Sequence, residues 1–334
     1  MELLKKLIYA FGVPGFEEEI RELVAEHMEK YLDEVRVDRL GNVIGVKKGN
    51  ERKVMLAAHM DQIGFMVKNI TEDGFLLISP MGGIKPSTLR SQAVRIKGKE
   101  GYIYGVIGEK PPHLEEKKEE KKEIKDLRVD IGVDSKEKAE KLVGIGNVGS
   151  FVPNFYELEQ RVVATALDDR SGVYTLLRVM ENFESEATVY FVSTVQEEIG
   201  VRGAMVSSFG VYPDIGIAID VTHARMPSMS KDDISVELGK GPTIGIGPTG
   251  HPNVVRYLME IAGVPYQVEP NPSHSGTDAD VIQLTREGVA TAVISIPLRY
   301  MHSSVEMVDK RDLYNTVKLI RNGLSEIHRV ELRL

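Results

Sequence analysis

Across 334 residues the chain carries 42 Lys and Arg against 50 Asp and Glu, a net charge of -8, so no basic footprint invites nucleic acid or an anionic membrane. It has no cysteine, which removes disulfides, thiolate nucleophiles and Cys-based zinc sites and leaves His, Asp and Glu as metal ligands. The length suggests roughly two domains, and with neither a signal peptide nor a run of transmembrane length the chain reads as cytoplasmic.

In chain order, residues 2–10 and 17–32 carry apolar side chains at helical spacing, separated by Gly12-Val13-Pro14-Gly15, and predict two opening helices. Residues 35–37 and 43–46 read as a hairpin around Gly41-Asn42, and 53–58 is an apolar strand that runs into His59-Met60-Asp61. From about Phe65 to Val152 the pattern changes to short strands, many glycines and one helix at 135–142. It predicts a small, mostly β domain, residues 65–152, inserted into an α/β domain formed by 1–64 and 153–334. Within the insert, the densely charged run 115–125 reads as a solvated loop, with a lid over a site as the sharper alternative. After Val152 the α/β character returns: strand 161–167 leads to Asp168, a helix follows at 173–183, and strand 188–195 leads to Glu197-Glu198. Strand 214–219 leads to Asp220, and strand 291–296 is followed by His302. Further helices are expected at 253–262, 277–287 and 310–328, with 266–269 extended.

Five apolar strands thus hand over within a few residues to His59/Asp61, Asp168, Glu197/Glu198, Asp220 or His302. In an α/β sheet the carboxyl ends of the strands line the crevice where ligands bind, so residues far apart in sequence converge there. Two adjacent carboxylates at the end of an apolar strand repel each other and lose hydration, which calls for a positive partner. Imidazoles and carboxylates at one sheet edge make a nitrogen and oxygen metal site, with ligands enough for two ions about 3.5–4 Å apart, a hydrolytic arrangement.

Five motifs carry a family resemblance: His59-Met60-Asp61-Gln62-Ile63-Gly64, Asp168-Asp169-Arg170-Ser171-Gly172, Gln196-Glu197-Glu198-Ile199-Gly200, Ala218-Ile219-Asp220-Val221-Thr222 and Arg299-Tyr300-Met301-His302-Ser303. Each is weak alone, but in this order and spacing the set resembles the M42 family of metallo-aminopeptidases, which includes the tetrahedral aminopeptidases and members labelled endoglucanases. The resemblance implies an α/β fold of zinc-peptidase type, a mixed sheet flanked by helices, with an inserted β-barrel-like domain that dimerises. It implies two Zn²⁺ or Co²⁺ ions per subunit: His59 and Asp220 on one, Glu198 and His302 on the other, Asp168 bridging. Glu197 would be the general base and Asp61 the partner of the His59 ring, and the Asp168–Asp169 peptide would be cis. Short peptides would be the substrates, and the homo-oligomer a dodecamer built from dimers.

Gly245 to Gly250 matches GxGxxG, precedes a helix and has Glu269 downstream as a dinucleotide site would, but the strand before it is short and Pro248 interrupts the turn. Gly144 to Gly149 matches too, with no helix after it. The segment Gly276-Thr277-Asp278-Ala279 resembles the family's border of the substrate pocket and equally suits a helix N-terminus. Arg225 and Arg299 would favour acidic substrate side chains if either faced the pocket. A di-metal deacylase acting on N-acylated amino acids is the nearest alternative. Glycoside hydrolysis needs two carboxyl groups about 5–9.5 Å apart and leaves both histidines unexplained, and a non-enzymatic assembly protein would not need the full ligand set.

Overall fold

The computed structural model describes residues 1–109 and 123–333, so most of the charged run 115–125 lies outside the described residues. The backbone forms an eleven-stranded mixed sheet and a five-stranded antiparallel sheet. The larger sheet runs in the order Glu34–Val37, Val43–Lys47, Ala187–Thr194, Asn50–His59, Ile215–His223, Ala290–Arg299, Glu306–Asp309, Arg161–Ala164 and Phe155–Glu157. Thr243–Ile246 and Gln267–Pro270 branch from Ala290–Arg299.

The strands Ala187–Thr194, Asn50–His59, Ile215–His223 and Ala290–Arg299 are parallel neighbours. They are nearly unbroken apolar runs because both faces are covered. Successive residues alternate between those faces. Val54, Leu56 and Ala58 share a core with Val24 of helix Glu18–Met28, Leu176 of Leu167–Met180 and Ile320 of Lys310–Glu326, whereas Met55 and Ala57 pack with Ala204 and Val211 of Arg202–Val211 and with Ile282. Burying each Val, Leu, Ile or Met among them contributes about 1.5–3 kcal/mol. Glu306–Asp309 is antiparallel to Ala290–Arg299 and Arg161–Ala164 is antiparallel to it in turn. Two reversals cancel, so Arg161–Ala164 points the same way as the four parallel strands and all five expected strand ends lie on one edge.

The five-stranded sheet, from Gly64–Ile70 to Val148–Phe151, has its own core around Phe65, Val67, Leu76, Ile78, Val94 and Ile96. Its edges are tied together, since Val129 bridges to Leu76 and Asp130 to Val106, which gives it the character of a small barrel.

Several elements differ from expectation. Ile215–His223 continues past Asp220, which pairs with Ser295 inside the sheet. The helix expected at 277–287 shrinks to Ala279–Ile282: beyond it the Thr285 N–H turns to the Ile282 carbonyl three residues back, and Arg286 takes a φ of 53°. Arg202–Val211 and Glu306–Asp309 had no clear sequence signal; the former contains two glycines and two serines and has no capping side chain, so packing rather than propensity forms it. The GxGxxG segment is a turn whose Gly247 lies so close to the Asn271 carbonyl that a Cβ would fall 1.9 Å from the oxygen; this is chain packing, not a phosphate cradle. No helix among the described residues is long and apolar enough to cross a membrane.

Candidate active site at the carboxyl edge of the sheet

Strand pairing sets His59 opposite Thr194, so the segment after Thr194 delivers Glu197 and Glu198 beside the imidazole. Three approaches to the site use left-handed backbone at residues other than glycine: Ala166 (φ 53°) before Asp168, Gln196 (φ 56°) before Glu197, and His302 itself (φ 62°). Each costs about 1–2 kcal/mol and persists only where surrounding contacts hold it. The Asp168–Asp169 peptide is cis.

Asp168 stands at the centre. Its Oδ1 lies 3.2 Å from His59 Nε2 and its Oδ2 lies 3.1 Å from His302 Nε2. Glu198 Oε1 is 3.4 Å from His302 Nε2, while Asp220 Oδ1 and Glu197 Oε2 are each 4.0 Å from His59 Nε2. Two groups of donors follow, His59 with Asp169 and Asp220, and Asp168 with Glu198 and His302; within each, one ligand atom per residue lies within 4.8 Å of the others. Asp169, expected only as the second residue of the cis peptide, joins a donor group. Its Oδ1 accepts the Gly172 N–H, while its buried Oδ2 has no partner among the described residues, an orphaned oxygen of the kind a cation satisfies.

Beneath the ligands lies a support built from carboxylates and backbone amides. Asp61 Oδ1 accepts the N–H of Glu197 at 3.0 Å and Oδ2 that of Glu198 at 3.1 Å. Its carboxylate is 3.6 Å from His59 Nδ1, whose closer neighbour is the Asp61 carbonyl at 3.2 Å, so the ring tautomer is fixed mainly by main chain. Glu17 accepts the N–H of Gln196 at 3.2 Å, so three successive amides are held from below. Glu306, buried and unnoticed in the sequence, accepts the N–H of His302 at 2.7 Å and of Asp168 at 3.1 Å. Gly83 packs on the His302 ring so closely that a Cβ there would lie 2.5 Å from Nδ1. No sequence pattern marked Glu306, because its role depends on two amides that meet only in the fold.

The electrostatics fit a cation site. Burial, with the charges of Asp220, Asp278 and Glu198, pushes Glu197 up to about 10 against the pull of His59. Burial likewise raises Asp220, Asp169 and Glu198. Burial opposes the charge on both imidazoles, yet hydrogen bonds donated to Asp168 and Glu198 raise His302 to about 11, and those donated to Asp168 and Asp61 raise His59 well above its ordinary value. Asp168, also buried, is held below the usual carboxylate range by its two histidines. Divalent ions at these nitrogen and oxygen donors would displace protons from the raised carboxylates, Asp169, Glu198 and Asp220.

A cleft of about 510 Å³ opens over these groups, and Gly276 and Thr277 line it with Thr222, His223 and Glu269. Asp278 lies below that wall: it is 2 % exposed and accepts the Thr194 hydroxyl at 2.6 Å. Arg225 and Arg299 are absent from the cleft wall.

A family model described as M42 glutamyl aminopeptidase matches residues 41–319. The lysyl aminopeptidase of Pyrococcus furiosus is 47% identical over 336 residues, covering 98% of this chain and 97% of that protein. Among solved structures, an aminopeptidase from the archaeon Desulfurococcus kamchatkensis superposes with a TM-score of 0.91 at 40% identity, covering 97% of this chain and 94% of the other. The TET1 peptidase of Pyrococcus horikoshii, described as assembling into a tetrahedron or a large octahedral shell, gives 0.86 at 33% identity, with 97% and 99% covered.

Proposed function

The chain belongs to the M42 glutamyl aminopeptidase family and is an aminopeptidase, and from that premise we propose that it removes N-terminal residues from short peptides with two divalent ions and Glu197 as general base. The observation that carries this reading is Asp168, with one oxygen toward each histidine and membership in the donor set that faces His59 across it. His59 and Asp220 would hold one ion, Glu198 and His302 the other, with Asp168 between them; zinc and cobalt both suit these donors. Bound there, the ions would polarise the scissile carbonyl and bring the pKa of a water toward neutrality. Glu197 belongs to neither donor group and stands 4.0 Å from His59, placed to take a proton from water and return it to the leaving amine. Asp61 holds the backbone of Glu197 and Glu198 so that base and ligand keep their spacing. Gly276 and Thr277 offer the peptide a polar wall, and Asp278 supports that wall from below.

Residues 65–152 would form an inserted domain that dimerises, and the dimers a dodecamer; the tetrahedron or octahedral shell described for the TET1 peptidase supports a large assembly. Light scattering checks it, and a monomer at micromolar concentration would sink it.

Cleavage of aminoacyl-p-nitroanilides, measured after chelation and after return of Zn²⁺ or Co²⁺, tests the chemistry. Metal should restore the rate. Glu197→Gln should lower kcat by about 10²–10⁴-fold while still binding both ions. Metal-loaded protein that hydrolyses N-acyl amino acids and no free-amine substrate would be a deacylase instead.

A further inference from the structure

The five-stranded sheet reaches the active site through the start of helix Glu18–Met28, where three consecutive glutamates face three ways. Glu17, buried, accepts the N–H of Gly15 at 2.8 Å and that of Gln196, the residue before Glu197, at 3.2 Å. Glu18 pairs with Lys97 of Gln92–Gly98 at 3.2 Å on the exposed rim, where ion pairs contribute little. Glu19 accepts the N–H of Phe11 at 3.2 Å on one oxygen and the hydroxyl of Tyr102, on Gly101–Ile107, on the other.

Arg95, on the same sheet and 7% exposed, completes the junction. Its Nη1 donates to the Tyr9 carbonyl at 3.1 Å, and its guanidinium carbon lies 4.6 Å from the centre of the Tyr102 ring and 5.3 Å from that of Phe11, both within cation–π reach. Between Glu2–Tyr9 and Glu18–Met28, residues 10–17 form no regular element, only a bridge between Val13 and Phe16. Regular hydrogen bonding therefore does not place Glu17; contacts with the five-stranded sheet do. What Glu17 holds is a residue in costly backbone, since Gln196 takes a φ of 56°, which persists only where surrounding contacts over-determine it.

We propose that Arg95 and Tyr102 are positioning residues for the base. Acting through Glu19 and residues 9–17, they set Glu17 against the Gln196 amide, keep Gln196 left-handed and hold Glu197 in place. The inference rests on the reading of Glu197 as general base and assigns the five-stranded sheet a part in catalysis.

Tyr102→Phe tests it, because this change removes one hydroxyl and leaves both ring contacts. In cleavage of Leu-p-nitroanilide by metal-loaded protein, kcat should fall by at least about five-fold with KM within about two-fold, since small displacements of reacting groups are costly. Metal analysis should still find both ions, which separates a displaced base from a lost ligand. Added to Glu197→Gln, the same change should lower the residual rate by less than about two-fold, because a base already absent has no position to lose. Arg95→Lys keeps a charge and a donor for the Tyr9 carbonyl but not the planar stack, and should also lower kcat with KM held. A Tyr102→Phe protein with a lowered thermal midpoint and an unchanged kcat overturns the proposal, because docking alone would give that result. An undiminished loss in the Glu197→Gln background overturns it too. Cleavage by the unaltered enzyme and its loss in Glu197→Gln alone test the premise, so failure of the base reading is seen separately.

Discussion

The His59 side chain is 2% exposed and ends a central strand with parallel neighbours on both sides, whereas the His302 side chain is 27% exposed and sits three residues beyond its strand in left-handed backbone. On the first side, ladder hydrogen bonds fix the ligand. On the second, position depends on Glu306, which grips the amides of both His302 and Asp168, and on the side-chain-free surface of Gly83. A ligand carried by a sheet inherits its place from pairing; one carried by a loop needs dedicated supports, and those can be removed singly.

The largest effect should come from removing the loop-side grip. Glu306→Gln turns one acceptor oxygen into an amide donor facing an N–H, and should weaken binding of the ion proposed at Glu198 and His302 by about 10–100-fold, the range for lost outer support. Graded chelation with metal analysis reads this as early release of one ion per chain; simultaneous loss of both would erase the distinction between the halves. Gly83→Ala pushes directly on the His302 ring and should lower kcat/KM by roughly ten-fold, given that displacements near 1 Å are already costly, with a thermal midpoint close to the unaltered protein. An unchanged rate would show that the ring has room to move.

The smallest effect concerns Glu17, which supports the segment common to both halves. Burial, with the charge of Asp61, raises its carboxyl to about 7 from an ordinary 4.5. The folded chain therefore holds a proton that the unfolded chain releases between these values, so this group's contribution to stability is complete below pH 4.5 and falls as pH rises toward 7. The slope is at most about 1.4 kcal/mol per pH unit. Glu17→Gln should lack that slope, so the stability difference between the two proteins in urea unfolding should change between pH 5 and pH 7; parallel curves would place the titration elsewhere.

The first halves of the ligand motifs were legible because each follows a buried strand, and such strands announce themselves as β-branched runs of five to eight residues. Asp168 was legible for the same reason, although its strand lies two places outside the parallel core and reaches the common edge by a double reversal. Asp278 shows the limit. Its neighbours Gly276 and Thr277 line the cleft, but the turn before Ala279–Ile282 sends its carboxylate to the Thr194 hydroxyl, and local sequence does not encode that choice.

By itself, the sequence determined the alternation of buried strands and amphipathic helices, the inserted β segment and the donor residues at the strand ends, since apolar periodicity and residue chemistry are local properties of the chain. Only the tertiary structure decided that Asp169 joins His59 and Asp220, that Asp61, Glu17 and Glu306 hold the amides beneath the site, and that Glu269 rather than Arg225 or Arg299 faces the cleft. Apart from Glu306 with His302, four residues away, those contacts join residues tens to hundreds of positions apart, and a backbone amide carries no mark in the sequence of which buried carboxylate it will meet.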